Sequence, residues 1–116
     1  MPKNAYVLRI AGVTMEDRQR AIARFFLNRR MTNAKVFAKL EREPDNKYDN
    51  HAVKVLYSLD DDNYECVGYI PRDYADIISS MLIDGLPMDI EVDKLEVFKD
   101  KATDRDIYYT SISILL

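Results

Sequence analysis

The residues best suited to chemistry in this chain sit in Glu43-Pro44-Asp45-Asn46-Lys47-Tyr48-Asp49-Asn50 and in the short segment from Tyr69 to Arg72. The first segment gathers the Tyr48 ring, several carboxylates, and the side-chain amides of Asn46 and Asn50. Lys47 adjoins Tyr48, and Arg72 follows Tyr69 by three residues. Recognition of a single strand needs aromatic faces for stacking and a few cations along the backbone, and these residues supply both. An ionised Asp49 can only accept hydrogen bonds, so it suits a hydroxyl donor and repels phosphate. The plainer reading makes Tyr48 and Tyr69 residues at the edge of a core, with hydroxyls bonded locally. Glu43, Asp45 and Asp49 could also gather magnesium, but carboxylates in such a turn more commonly organise backbone.

Catalysis has little support, and no enzyme activity or cofactor is expected. His51 is the sole histidine and no nucleophile motif accompanies it. The chain has only three glycines, so no glycine-rich phosphate loop can form. Asp60-Asp61-Asp62-Asn63 lacks the ligand spacing and the glycine of an EF-hand and reads as a solvated hairpin tip.

Composition points the same way. The 116 residues suffice for one domain, 1–116, with its own core. Seventeen Lys and Arg against twenty Asp and Glu leave a net charge of -3. That argues against coating nucleic acid by bulk electrostatics, while capture of an end, which needs few phosphate contacts, stays open. Cys66 is the one cysteine, so an intrachain disulfide and a cysteine zinc cluster are excluded and a reducing, cytoplasmic setting is expected. No apolar run has the length of a membrane span or the form of a signal peptide, and no membrane partner is expected.

The elements that must position these residues follow from periodicity. Tyr6, Leu8 and Ile10 alternate with Val7, Arg9 and Ala11, predicting a strand that ends at Gly12. Thr14, three residues before Asp17, is a candidate helix cap. Met15, Gln19, Ile22 and Phe26 follow at helical spacing, with Ala21 and Phe25 widening the stripe. Arg18, Arg20, Arg24, Arg29 and Arg30 decorate this helix, as a solvated cationic face or as steering for phosphate. Val36, Ala38 and Leu40, then Val53, Val55 and Tyr57, mark two strands flanking the 43–50 loop. That loop is longer than a hairpin requires, and such loops often carry function. A strand from Tyr64 to Ile70 runs into Pro71, which suits the first turn of a helix.

Tyr74, Ile77, Ile78, Met81 and Leu82 then form an apolar stripe, and Gly85 and Pro87 end the helix. In the next strand the apolar parity slips from Met88, Ile90 and Val92 to Leu95 and Val97, which predicts a β-bulge near Asp93-Lys94. Lys99 to Asp106 reads as a charged turn before a last strand from Ile107 to Leu116. The predicted order is β-α-β-β-β-α-β-β: mainly β with two helices, antiparallel, as a small, partly open barrel. The Tyr74–Asp84 helix should bury its stripe over one opening of a closed or nearly closed barrel.

The string REPDNKYDNHAVKV followed by VGYIP resembles the HIRAN domain, a module found at the N-terminus of certain DNA-remodelling ATPases and in small stand-alone proteins. Arg42, Glu43, Pro44, Asn46, Tyr48, Asp49, Ala52, Val53, Val55, Val67, Gly68 and Tyr69 fall on the family pattern, and His51 replaces its usual asparagine. The resemblance implies an OB-like barrel with helical additions. It also implies a nucleic-acid-binding function, with single-stranded DNA held by its free 3′ end. On that reading the tyrosine at Tyr48 holds terminal bases, the aspartate at Asp49 accepts a hydrogen bond from the 3′-hydroxyl, and Arg72 contacts phosphate. Asn46 and Tyr69 complete the implied site. The end-binding members carry an arginine and an aromatic near Thr14 and Met15. Met15 can pack against a base without stacking, Thr14 is uncharged, and Arg18 on the helix is the cation that could stand in. The alternative is a protein-interaction or regulatory barrel that has lost the end pocket.

Overall fold

The computed structural model describes residues 4–116. Along the chain lie β1 (Ala5–Arg9), α1 (Glu16–Thr32), β2 (Phe37–Arg42), β3 (Val53–Ser58), β4 (Glu65–Tyr69), α2 (Arg72–Ile83), β5 (Asp89–Asp100) and β6 (Arg105–Leu115). The six strands make one antiparallel sheet in the order β1-β6-β5-β2-β3-β4. Among the described residues no helix is long and apolar enough to cross a membrane.

The core follows the alternation of β3. Val53, Val55 and Tyr57 are completely buried, and from α1 Ala21, Ile22 and Phe25 pack on the same core. Phe25 meets Tyr57 edge to face, with ring centroids 5.7 Å apart. The Tyr57 hydroxyl donates to Thr110 Oγ1 at 2.6 Å, and Thr110 donates in turn to the Lys94 carbonyl at 2.7 Å. A buried hydroxyl without a partner would cost about 1–3 kcal/mol, so this relay keeps a polar group tolerable inside the core. Burial pushes the Tyr57 phenol pKa up. The relay ends at the bulge predicted near Asp93-Lys94, where the β5–β6 register shifts between Val92 and Lys94.

The sheet is not a closed barrel, which corrects the expectation of closure. Its edge strands meet only at an isolated bridge, where the Ala11 N–H donates to the Tyr69 carbonyl at 2.8 Å and the Tyr69 N–H donates back at 2.9 Å. The contact cannot lengthen because Gly12, at φ 68°, turns the chain away. Close approach on the β4 side depends on Gly68, at φ 156°, where an added Cβ would lie 2.4 Å from the Ala11 carbonyl oxygen.

Four further expectations need correction. Met15, not Thr14, occupies the N-cap of α1, and no side chain caps it; the Asp17 carboxylate takes the Arg18 N–H instead. Pro71 is the N-cap of α2, just ahead of the first turn in which it was expected. The charged turn after β5 is shorter than Lys99 to Asp106, because Lys99 and Asp100 pair with Asp106 and Arg105. The α2 stripe is only partly buried: Ile78 is in the core, while Tyr74 and Ile77 are 50% and 63% exposed. With no closed opening to cover, α2 leans on the sheet through one edge. Tyr6, Leu8, Tyr74, Ile77, Met81 and Leu116 are among the residues lining an apolar groove of about 310 Å³ between them.

Candidate nucleic-acid interface

The loop between β2 and β3 is built from Asx chemistry. Asn46 Oδ1 accepts the backbone N–H groups of Tyr48 and Asp49 at 2.9 and 3.0 Å, and Asp49 Oδ1 accepts that of His51 at 2.9 Å. Side-chain acceptors of this kind replace the ladder partners that Pro44 and the turn deny the backbone. At its base the Glu43 N–H bonds the Ala52 carbonyl at 2.9 Å, which joins the ends of the two strands.

Three segments converge on this loop. The β1–α1 connection brings Met15 and Arg18, the end of β4 brings Tyr69, and the start of α2 brings Arg72. Together with Asn46, Tyr48 and Asp49 they line one cleft of about 510 Å³, floored by Ala11, Gly12, Ala52 and Ile70. Asn46, Tyr48, Asp49, Tyr69, Arg72, Met15 and Arg18 therefore line a single cleft, whereas Lys47, Thr14 and the other α1 arginines do not. His51 points elsewhere, its Nδ1 lying 3.4 Å from the Asp76 carboxylate of α2.

The side chains differ in how free they are. Tyr48 is 81% exposed, so its ring is not a core residue. Met15 is also exposed. Among the described residues Arg72 makes no ion pair or side-chain hydrogen bond. Arg18 is held: its Nη1 donates to the Gly12 carbonyl at 2.7 Å and its guanidinium lies 5.1 Å from the centroid of the Tyr69 ring. The Asn46 amide is engaged at both ends inside the loop, so it lines the cleft as a brace.

The sequence reading missed the part played by Glu43. Its Oε1 accepts from Asn46 Nδ2 at 2.7 Å and from the Tyr69 hydroxyl at 2.9 Å, while Oε2 lies 3.3 Å from Lys54 Nζ. The Asn46 hydrogen bond, followed by those from Tyr69 and Lys54, holds the Glu43 carboxyl below the usual carboxylate range. Burial and the bond to Glu43 push the Tyr69 phenol up to about 12. The hints in the sequence are that Glu43 falls on the family pattern and stands directly before Pro44, where β2 must end.

Beyond the loop, a second cavity of about 590 Å³ is lined by Glu41, Arg42, Glu43, Asp45, Lys47 and Lys54, and it shares Asn46 and Tyr48 with the cleft. Lys54 is paired with Glu43, and Arg42 Nε donates to Ser79 Oγ at 3.0 Å, so two of its cations are already occupied. Among the described residues no group of His, Cys, Asp or Glu could hold a metal ion. The arrangement left in the first cleft is an exposed ring, a carboxylate, a second ring braced from behind, and cations on two sides.

A sequence model of the HIRAN domain matches residues 23–106. The matched span contains Asn46, Tyr48, Asp49, Tyr69 and Arg72, whereas Met15 and Arg18 precede it. A crystal structure of a protein from Lactobacillus plantarum, determined by a structural genomics consortium, superposes with a TM-score of 0.55 at 17% identity, over 98% of this chain and 99% of that one. That likeness concerns the fold alone. No curated protein sequence matches the chain.

Proposed function

The chain belongs to the HIRAN domain family, and on that premise we propose that it binds single-stranded DNA by free 3′ ends in the cleft between the Tyr48–Asp49 loop and Tyr69. HIRAN domains are in general nucleic-acid-binding modules. The observation that carries the finer reading is the placement of the Asp49 carboxylate in one cleft with the exposed Tyr48 ring and the cations of Arg18 and Arg72. Tyr48 takes the terminal base on its face, in the sequence-tolerant way that aromatic stacking allows. Asp49 accepts a hydrogen bond from a terminal hydroxyl and repels a phosphate in the same position. Arg72, exposed and without a partner among the described residues, meets the backbone phosphate behind the terminal sugar. The activity is binding, with no reaction assigned.

Fluorescence anisotropy tests this with single-stranded oligonucleotides carrying a 3′-hydroxyl or a 3′-phosphate. The hydroxyl form should bind more tightly, and equal binding, or a preference for the phosphate, removes the mechanism. Because few phosphates are neutralised, the slope of log affinity against log salt should be about -1 to -3. A second reading is favoured by the apolar groove beside α2, where exposed Tyr6, Tyr74 and Ile77 would suit a protein partner. Absence of any binding to single strands would shift the assignment to that groove.

A further inference from the structure

We propose that Glu43 is a positioning residue that latches the two walls of the cleft together at the separation a ligand needs. The proposal rests on the cleft being the binding site and adds a residue that does not line it. One wall is the 43–50 loop, whose shape depends on Asn46: its Oδ1 accepts the Tyr48 and Asp49 N–H groups at 2.9 and 3.0 Å. The other wall is Tyr69, fixed to the β1–α1 connection through the Ala11 bridge. A single oxygen, Glu43 Oε1, accepts a hydrogen bond from each wall, from Asn46 Nδ2 at 2.7 Å and from the Tyr69 hydroxyl at 2.9 Å.

This arrangement determines orientation as well as distance. With Nδ2 committed to Glu43, the Asn46 amide must present Oδ1 to the loop backbone, which directs the Tyr48 and Asp49 N–H groups inward. With its proton committed, the Tyr69 hydroxyl cannot turn to donate into the cleft. Lys54 Nζ, 3.3 Å from Oε2, keeps the carboxylate turned toward both donors. Charged acceptors make stronger hydrogen bonds than neutral ones, and one carboxylate serving three donors couples them into a unit. Removing Glu43 should therefore free Asn46 and Tyr69 together.

Amide hydrogen exchange by NMR and oligonucleotide affinity, measured on the full chain, test this together. In Glu43→Ala the Tyr48 and Asp49 amides should exchange at least about tenfold faster, while those of Val55 and Tyr57 in the core stay protected. Affinity for a 3′-hydroxyl oligonucleotide should fall about tenfold or more. Glu43→Gln retains Oε1 as an acceptor and should restore most of both. Adding Tyr69→Phe to Glu43→Ala should cost little more, because the two changes break one unit.

A folded Glu43→Ala with native exchange at Tyr48 and Asp49 overturns the latch, as does failure of Gln to rescue it. Should Glu43→Ala not fold, Tyr69→Phe alone decides: several-fold weaker binding with faster loop exchange supports the latch, and native values for both reject it. If the wild type binds no single strand, the binding-site reading fails, while the exchange comparison still decides the latch.

Discussion

Ala11 and Tyr69 exchange both of their backbone hydrogen bonds, at 2.8 and 2.9 Å, although they lie on the opposite edges of the sheet. This bridge brings the β1–α1 connection, with Met15 and Arg18, against the end of β4. Without it the cleft would lose one side. The bridge in turn requires that nothing stand between the strands, which is what the missing side chain of Gly68 provides.

Gly68→Ala should therefore disrupt the site from a distance. The new Cβ would meet the Ala11 carbonyl oxygen at 2.4 Å and Ile10 Cγ2 at 2.6 Å, and φ 156° is itself unfavourable for alanine. Forced overpacking of this kind typically costs about 1–3 kcal/mol. Urea denaturation should show a loss in that range or above it, with faster amide exchange at Tyr69. A variant as stable as the wild type would mean that the β1–β4 contact is not required.

Tyr48 offers the opposite case. At 81% exposure it contributes almost nothing to the core, so Tyr48→Ala should change stability by no more than about 0.5 kcal/mol. Loss of a stacking ring should weaken single-strand binding by about 1–3 kcal/mol. Tyr48→Phe should bind nearly as well as the wild type. Equal affinity of the alanine variant would remove Tyr48 from the interface.

Asp49 has a structural role, and under the proposed function a second one that substitution can separate from it. Its Oδ1 holds the His51 N–H at 2.9 Å, so Asp49→Ala removes a loop bond along with the charge. Asp49→Asn keeps an oxygen for that bond and loses only the charge. A hydrogen bond to a charged group contributes about 1.5–3 kcal/mol, or about ten- to a hundredfold in affinity. The preference for 3′-hydroxyl over 3′-phosphate should fall by about tenfold in Asp49→Asn with an unchanged melting temperature. Undiminished preference in the folded variant would exclude the carboxylate as discriminator.

Glu43 predicts a pH window. Its folded carboxyl titrates below the ordinary value of 4.5, first because of the hydrogen bond from Asn46, so the ionised form is favoured in the native state. The unfolded chain therefore binds the proton more readily, and the stabilisation is present above about pH 4.5 and lost as pH falls through the lower folded value. Denaturation of the wild type and Glu43→Gln between pH 3 and 7 should show a gap in stability that is constant at the upper end and narrows at the lower. A gap that widens on acidification would contradict the sign of the shift.

The elements were legible where burial obeys a simple period. The strand of Val53, Val55 and Tyr57 and the parity slip after Val92 could be read directly, because each follows from alternating side chains. Convergence of Tyr48, Tyr69, Arg72, Met15 and Arg18 on one cleft could not be read from spacing, since the Ala11–Tyr69 bridge that assembles it joins residues far apart in the chain. Tyr48, Tyr69 and Arg72 stood out as aromatic and cationic side chains in non-repetitive segments, and the family resemblance gave them roles. Met15 and Arg18 were reached by setting the end-binding members' arginine and aromatic against Thr14 and Met15. Thr14 misled because the capping pattern is local, whereas Met15 takes the cap position with extended backbone and no side-chain bond. Closure of the barrel was overestimated because periodicity gives the faces of strands and says nothing about how far two edges stay in register.

Gln19 gives the cleft a mechanical character. Its Nε2 donates to the carbonyls of Val13 and Tyr108, each at 2.8 Å, and its Oε1 accepts the Tyr108 N–H at 2.8 Å. A helical side chain here imitates a residue of an adjoining strand, and it ties the β1–α1 connection to the backbone of β6. The cleft thus has one side, Gly12–Arg18, tied to the sheet by a helical side chain, and a facing side, the 43–50 loop, held by its own backbone turns and by the Asn46, Asp49 and Glu43 side chains. Under the proposed function, a bound strand would meet one side whose cation, Arg18, is held in place and another whose distance from Tyr69 depends on the Glu43 latch.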